Sequence, residues 1–349
     1  MAGRGAMLRD ARAERTAHLH SPSQSSLEQF FLWVEKNQLL TRITGVSGRK
    51  FRLFPGGLGR GSGVALRMAY VPFPQRDDLD VRLSVGGSIE GYWQFLGSVG
   101  YRRDAWFSYV YSQVQERPET TYLSFPNLSD STTPLTVDLT SWASGGVLGI
   151  RPAPGLSLAA TAGYLRSSAG GVSSGSSRPG VLDPAASTRY ATVGGHLTLD
   201  LRDVRYGRNF GTRYVPLGDD DLTDRPLNPG SGILVSADYT RYRELSDRNA
   251  SFDQLELEAQ QYVSFLNGYH TFALRHRSTF TDPDAGSAVP FYRLPYVGGN
   301  FTLRGYDEFR FQGGRHALLY NLEYRYKVWH HADMVLFGDA GKVFDGVEA

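Results

Sequence analysis

The sequence contains no cysteine. Disulfide staples, thiolate metal sites and cysteine nucleophiles are therefore excluded together. No apolar run approaches the ~20 residues that a membrane helix needs, which excludes a helical span but not a strand-built one. Net charge is nearly absent, +2 from 37 basic and 35 acidic residues. With no basic stripe interleaved with aromatics, nothing asks for a nucleic-acid partner. The opening MAGRGAMLRDARAERTAHLH lacks the apolar core of a secretory signal. The rest of the chain suits an exported protein, so the natural start is expected upstream. The eight histidines form no His-x-x-x-His or His-Glu-x-x-His pattern, and His330-His331 reads as a solvated turn between strands. Asp219-Asp220-Asp221 lacks the glycine and glutamate of a calcium loop and reads as solvated acid. No enzyme chemistry, metal or cofactor is expected.

Forty glycines, twenty tyrosines and nineteen phenylalanines lean toward β structure. Residues 1–25 read as disordered. Ser25 and Glu28 form a capping box, and Leu27, Phe30, Phe31 and Val34 follow at helical spacing. One amphipathic helix is expected over about 26–40, so residues 26–54 form a helix and linker. Its plain role is packing on the fold; a lumen plug or membrane-surface helix is the functional alternative. PGGLGRGSG at 55–63 reads as a flexible turn before the first strand, since it lacks the Lys-Ser/Thr ending of a phosphate loop.

From there a two-residue period dominates. Leu79, Val81, Leu83 and Val85 alternate with Asp80, Arg82 and Ser84; Ala191, Val193 and Leu197 alternate with Thr192, His196 and Thr198; Leu255 and Leu257 alternate with Glu256 and Glu258. The same period runs through 156–164, 233–240 and 318–328. Further strands fit 61–70, 92–101, 106–114, 137–150, 269–281 and 334–344. These make roughly a dozen strands of about ten residues, the length that crosses a bilayer. A soluble sandwich shows the same alternation with its faces reversed. Three features favour the membrane: charged and amide residues on the polar face, tyrosines near strand ends (Tyr70, Tyr101, Tyr164, Tyr242, Tyr262, Tyr269), and long polar loops at 116–134 and 167–187. Residues 55–349 are expected to form one barrel domain.

Residues 292–344 concentrate the candidate site. In Asn300-Phe301-Thr302-Leu303-Arg304-Gly305-Tyr306 the glycine permits a sharp turn and leaves Arg304 at a loop tip. A guanidinium there can pair bidentately with a carboxylate. Strand parity places Glu323 with Asn321, Arg325 and Lys327 on a polar face. Asp339 interrupts the apolar Phe337-Gly338-Asp339-Ala340-Gly341, where it is costly without a partner. Arg304 is thus expected to meet Asp339 or Glu323, against the commoner case of a loop arginine in solvent.

These residues resemble the BamA/TamA-type outer-membrane barrels, the bacterial surface antigen family. Leu303-Arg304-Gly305-Tyr306 is similar to that family's arginine-glycine-aromatic loop motif, which folds back into the barrel. Phe337-Gly338-Asp339-Ala340-Gly341 is similar to its aspartate-glycine strand motif, whose aspartate holds the arginine. The resemblance therefore implies a loop lock of Arg304, Gly305, Tyr306, Glu323, Asp339 and Gly341. Asn321-Leu322-Glu323-Tyr324-Arg325-Tyr326 resembles the intervening strand, and Asn228-Pro229-Gly230-Ser231-Gly232 a periplasmic turn. Two departures stand out: no substrate-binding periplasmic repeats are visible, and 203–225 resembles an insertion.

The expected fold is all-β, an antiparallel transmembrane β-barrel with one short N-terminal helix, located in the bacterial outer membrane. The resemblance implies insertion or translocation of outer-membrane components. Expected partners are outer-membrane lipid and unfolded outer-membrane protein clients or periplasmic proteins. A passive pore or structural barrel without a client is the alternative, and a soluble β-protein a more distant one. A wall that opens laterally would offer unpaired amides to a client strand, and Gly57, Gly59, Gly61 and Gly63 would weaken such a seam. The family's aspartate-glycine strand precedes its last strands, so an incomplete barrel is expected. Its sheet would be open, with 61–70 at one edge and 334–344 at the other.

Overall fold

The computed structural model describes residues 50–56, 58, 62, 64–73, 75–76, 78–122, 135–173, 187–203, 229–246, 249–299, 302–306, 309–329 and 332–345. The expected helix at 26–40, the glycines at 57, 59, 61 and 63, the acidic triplet at 219–221 and the histidine pair at 330–331 lie outside them. The strands are β1 Phe51–Gly56, β2 Ala65–Tyr70, β3 Leu79–Ser88, β4 Trp93–Arg102, β5 Trp106–Tyr122, β6 Leu135–Ala153, β7 Leu156–Ser173 and β8 Thr188–Asp200. They continue as β9 Gly232–Glu244, β10 Phe252–Phe265, β11 His270–Pro283, β12 Tyr296–Val297, β13 Phe311–Gln312, β14 His316–Trp329 and β15 Ala332–Phe344. All but β12 and β13 form one 13-stranded antiparallel sheet, each strand paired with its sequence neighbour and β11 with β14. Among the described residues β1 and β15 are its two edges.

The two faces of this sheet decide its solvent. Leu66, Val85, Leu148, Val193, Phe272 and Leu322 are exposed on the convex face. Arg82, Gln94, Gln113, Ser141, Ser167 and Asn321 are buried on the concave one. A water-soluble sandwich would bury the first set and expose the second. Apolar-out and polar-in alternation is the arrangement of a barrel wall in lipid.

Several expectations need correction. The strand expected over 61–70 is not an edge. Phe51–Gly56 lies outside it, Phe51 opposite Tyr70 and Pro55 opposite Leu66. Proline, which cannot donate to a ladder, is tolerated there because one side of an edge strand is unpaired. The sheet thus starts before residue 55. The strands also exceed ten residues in the middle of the sheet: β5, β6 and β7 span 17, 19 and 18 residues. Their ladder pairs continue into segments expected to be loop, such as Thr121 with Thr136 and Ser141 with Ser167. The tyrosines divide as well. Tyr164 and Tyr101 sit on the outer face beside Trp142 and Trp106. Tyr242 faces inward and is buried, and Tyr262 faces inward to bond Gln260.

Connections differ between the two ends of the sheet. Turns 103–105, 154–155 and 266–269 are short and share one end. The long connections 123–134, 174–187 and 284–315 share the other. Short turns and long loops are the periplasmic and extracellular ends of outer-membrane barrels. The connection 201–231 is long but leaves from the short-turn end. Its base is clamped by Asp203, whose carboxylate accepts bonds from the amides of Gly230 and Ser231 at 3.0–3.2 Å.

Glycine shapes the inner wall where β6, β7 and β8 bend. Gly145 lies opposite Gly163, and Gly194 opposite Thr161. A Cβ on Gly145 would stand 2.7 Å from the Ala162 carbonyl oxygen, one on Gly163 2.7 Å from that of Ser144, and one on Gly194 2.7 Å from that of Tyr239. Each obstacle is backbone and cannot rotate away, so this curvature requires the missing side chains. Gly163→Val should therefore destabilise the wall by roughly 1–3 kcal/mol, an overpacking cost. Gly87→Ala, where a Cβ meets nothing within 4 Å, should be close to neutral. Thermal unfolding of the detergent-solubilised chain checks this; equal midpoints for both variants would contradict it.

Candidate functional site

The connection from β11 to β14 folds inward and fills the concave face. Val289, Phe291, Leu294 and Phe309 are buried there against Leu165, Tyr190, Tyr242 and Phe252. Each such side chain contributes roughly 1.5–3 kcal/mol by leaving water. A single 3-10 turn, Phe291–Arg293, directs the chain into the lumen. Its carbonyls are not wasted: the Gln312 amide donates to the oxygens of Phe291 and Leu294 at 2.8 and 3.2 Å. The hydroxyls of Tyr292 and Thr188 meet at 2.8 Å, tying the loop to β8. The small β12–β13 hairpin then carries the chain to its tip.

The tip is a tight closed turn. Gly298, Gly299 and Gly305 have φ of 130°, 90° and 87°, values that favour glycine. The Gly299 amide donates to the Tyr306 carbonyl at 2.9 Å, and the Gly298 amide to the Thr302 hydroxyl at 2.8 Å. Arg304 leaves this turn toward β14 and β15. Its Nε and Nη2 donate to Asp339 at 2.8 and 2.7 Å, and its own backbone amide donates to the same carboxylate at 2.9 Å. Its Nη1 donates to Glu323 at 2.5 Å. The guanidinium lies 4.0 Å from the centre of the Phe337 ring. The bonds to Asp339, more than those to Glu323, hold the arginine further above its ordinary pKa, so it is charged at every working pH.

The carboxylates are held in turn. Asp339 faces Asn321 across the β14–β15 ladder, and the Asn321 amide donates to it at 2.7 Å and to the Thr302 carbonyl at 2.7 Å. The Asp339 side chain is only 3% exposed. Glu323 is held from its other side by Arg325 at 2.7 Å. Further along the wall, Glu258 pairs with Arg275 and Glu256 with Arg277, both at 2.8 Å. The lock is thus the end of a charged ladder on the inner wall.

The structure brings Arg304, Glu323 and Asp339 together. Gly341 lies beneath the loop: a Cβ there would stand 3.5 Å from Val297 and 3.1 Å from the Leu318 carbonyl oxygen. Gly305 supplies the turn. Tyr306 does not touch the carboxylates; it is half exposed, with its ring against Phe311. Sequence reasoning placed Asn321 on the right face but missed it as the clamp between loop and carboxylate. Its position directly across from Asp339 was the available signal. Phe337 was missed because its polar-face position is unusual for an aromatic. Chemically the arrangement is a fixed set of opposite charges. It holds a loop.

Comparisons with known proteins bear on the fold and on the segment that holds the site. Residues 219–349 match the Omp85 superfamily domain, a segment that contains the whole lock. No curated protein matches the chain. Among solved structures, BamA from Haemophilus ducreyi lacking POTRA domains 1–3 aligns with a TM-score of 0.59 at 14% identity, over 85% of this chain and 58% of that one. CdiB from Escherichia coli aligns with a TM-score of 0.53 at 11% identity, over 87% of this chain and 54% of that one. These likenesses are of fold, and the chain spans somewhat over half the length of the solved proteins it matches.

Removing Arg304 leaves a buried carboxylate without its cation. Arg304→Ala should cost about 3–5 kcal/mol. Asp339→Asn should weaken the same contact, and the two losses should overlap in a double-mutant cycle by about 0.5–3 kcal/mol. Glu323→Gln should cost less, because its side chain is 20% exposed and screened by water. Denaturant titration in detergent measures all of these; strict additivity of the first two would show that the residues do not act together.

Proposed function

We propose that this chain, whose barrel region is of the Omp85 type, assists the insertion or translocation of other outer-membrane components. The observation that carries this reading is the lumen-filling loop pinned by Arg304 to Asp339 and Glu323, within the segment matched by the superfamily domain. A barrel that only passes solutes gains nothing from a packed apolar cluster across its concave face. A barrel that must stay shut until a client arrives gains a barrier that can be displaced as one body. The lock residues are assigned to holding that body, with Asn321 and Phe337 added to those expected from the sequence and Tyr306 packing on Phe311 instead. The activity is non-covalent and needs no cofactor.

Clients are outer-membrane chains presented as unpaired strands, and the surrounding partner is lipid. The passive-pore alternative draws support from the charged ladder of Glu256, Glu258, Arg275 and Arg277, which would line a water path equally well.

A direct test places the chain in liposomes and adds a urea-unfolded eight-stranded outer-membrane protein. Client folding, read by its heat-dependent gel mobility, should proceed several-fold faster than in empty liposomes. Arg304→Ala should alter that acceleration. Ion conductance with no gain in client folding would favour the passive pore and reject the assembly role.

A further inference from the structure

The outer face of β6–β9 carries a charge arrangement that the assembly role does not use. Arg166 on β7 and Arg189 on β8 are direct cross-strand neighbours. Arg243 on β9 pairs with Ala191, two residues along β8 from Arg189. All three side chains are exposed. Like charges directly opposite one another destabilise a sheet. Among the described residues none of these three side chains has an ion pair or hydrogen bond. The carboxylates close by are already engaged, since Asp253 and Asp284 bind Arg241 at 3.0 and 2.6 Å. Three guanidinium groups on one patch, unpaired among the described residues, fit an anion with several oxygens.

The depth of the patch indicates the kind of anion. Trp142 lies opposite Arg166. Its ring stands 5.4 Å from that of Tyr164 on the same face. Such amphipathic rings mark the headgroup level. The patch is at the end of the sheet that carries the long connections, the side that faces the outer leaflet.

Below the patch the face hollows. A concavity of about 580 Å³ is lined by Leu148, Leu158, Ala160, Gly195, Ala237 and Tyr239, among others. A Cβ on Gly195 would meet nothing within 4 Å. Ala160, Gly195 and Ala237 each lie six residues from Arg166, Arg189 and Arg243 on their own strands. Six residues span about 20 Å of strand. With strands tilted by roughly 40°, that descends about 15 Å, the depth of one hydrocarbon leaflet. The distance from basic patch to hollow therefore matches an acyl chain hanging from its headgroup.

We propose that this face is a binding site for a phosphorylated glycolipid of the outer leaflet, of the lipid A type. Its phosphate is held by Arg166, Arg189 and Arg243, and one acyl chain lies in the hollow over Gly195. The proposal rests on the outer-membrane reading above and is independent of the client role.

The test uses the full chain in non-ionic detergent, mixed with bis-phosphorylated lipid A and read by native mass spectrometry. One lipid A should stay bound. The triple variant Arg166→Gln, Arg189→Gln, Arg243→Gln should lower the bound fraction at least tenfold, and Gly195→Leu, which fills the hollow, several-fold. Arg76→Gln, in the turn at the opposite end, should leave binding unchanged. Gel mobility with and without heating verifies that each variant is folded. Equal retention by the triple variant and the parent chain would overturn the site. Equal retention of phosphatidylglycerol would overturn the glycolipid assignment in favour of anionic lipid in general. A parent chain that stays monodisperse without detergent would overturn the membrane reading itself, and the site with it.

Discussion

A carboxylate with 3% of its side chain exposed, Asp339, cannot remain ionised on a barrel wall without a cation and donors around it. Arg304 supplies the cation, and the Asn321 amide and the Arg304 backbone amide supply further donors. Those donors come from two elements, the loop tip and β14, and Asp339 itself lies on a third, β15. The consequence is that one buried charge fixes three things at once: the tip of the loop, the register of β14 against β15, and the orientation of Asn321. Lysine could deliver the same charge but not the geometry, because only a planar fork reaches Asp339 and Glu323 together. The four charges of the lock, Arg304 and Arg325 against Glu323 and Asp339, also sum to zero. The lock itself therefore adds no net charge to the inner wall.

The tip is only the end of the mechanism; the body of the loop is held by apolar packing. Phe291, Leu294 and Phe309 join a cluster with Tyr190, Tyr242 and Phe252. Among the described residues that cluster is the largest apolar region on the polar side. It explains why Tyr242, an expected girdle residue, faces inward instead. The glycines of β6–β8 belong to the same design. By letting strands approach without side chains between them, Gly145, Gly163 and Gly194 tighten the curve that brings β5–β8 around the loop. Packing and curvature place the loop, and the ion pairs then select its exact seat.

Much of this was legible in the sequence, for physical reasons. Alternation with period two is imposed by the pleat, so strands with one polar face could be read directly from residues such as Leu255 to Glu258. The arginine–carboxylate lock was legible because a lone aspartate in Phe337-Gly338-Asp339-Ala340-Gly341 demands a partner. Other features were not legible. Strand ends were misplaced because polar residues of 116–122 and 167–173 resemble loop, although their backbones continue the ladder. Pro55 argued against a strand, and only its edge position makes it compatible with one. The inward Tyr242 shares its parity with Ser236, Asp238 and Thr240, a sign outweighed in the reading by its place near a strand end; its pairing with Phe252 settles the direction.

The arginines of the sheet divide by face, and the division follows from the two solvents. On the inner wall Arg275, Arg277 and Arg325 each meet a carboxylate of the same wall, because an inward charge without a partner has nowhere to go. On the outer face Arg241 is likewise paired, yet Arg166 and Arg189 stand opposite one another with no described carboxylate between them. A soluble protein would place such a pair in water at little cost. Here the same face carries Val193, Leu197 and Leu148 toward lipid, so the arginines sit where apolar wall meets headgroups. On the lipid-site proposal, the anion at that boundary comes from the membrane itself, and the wall is completed by its solvent as much as by its own side chains.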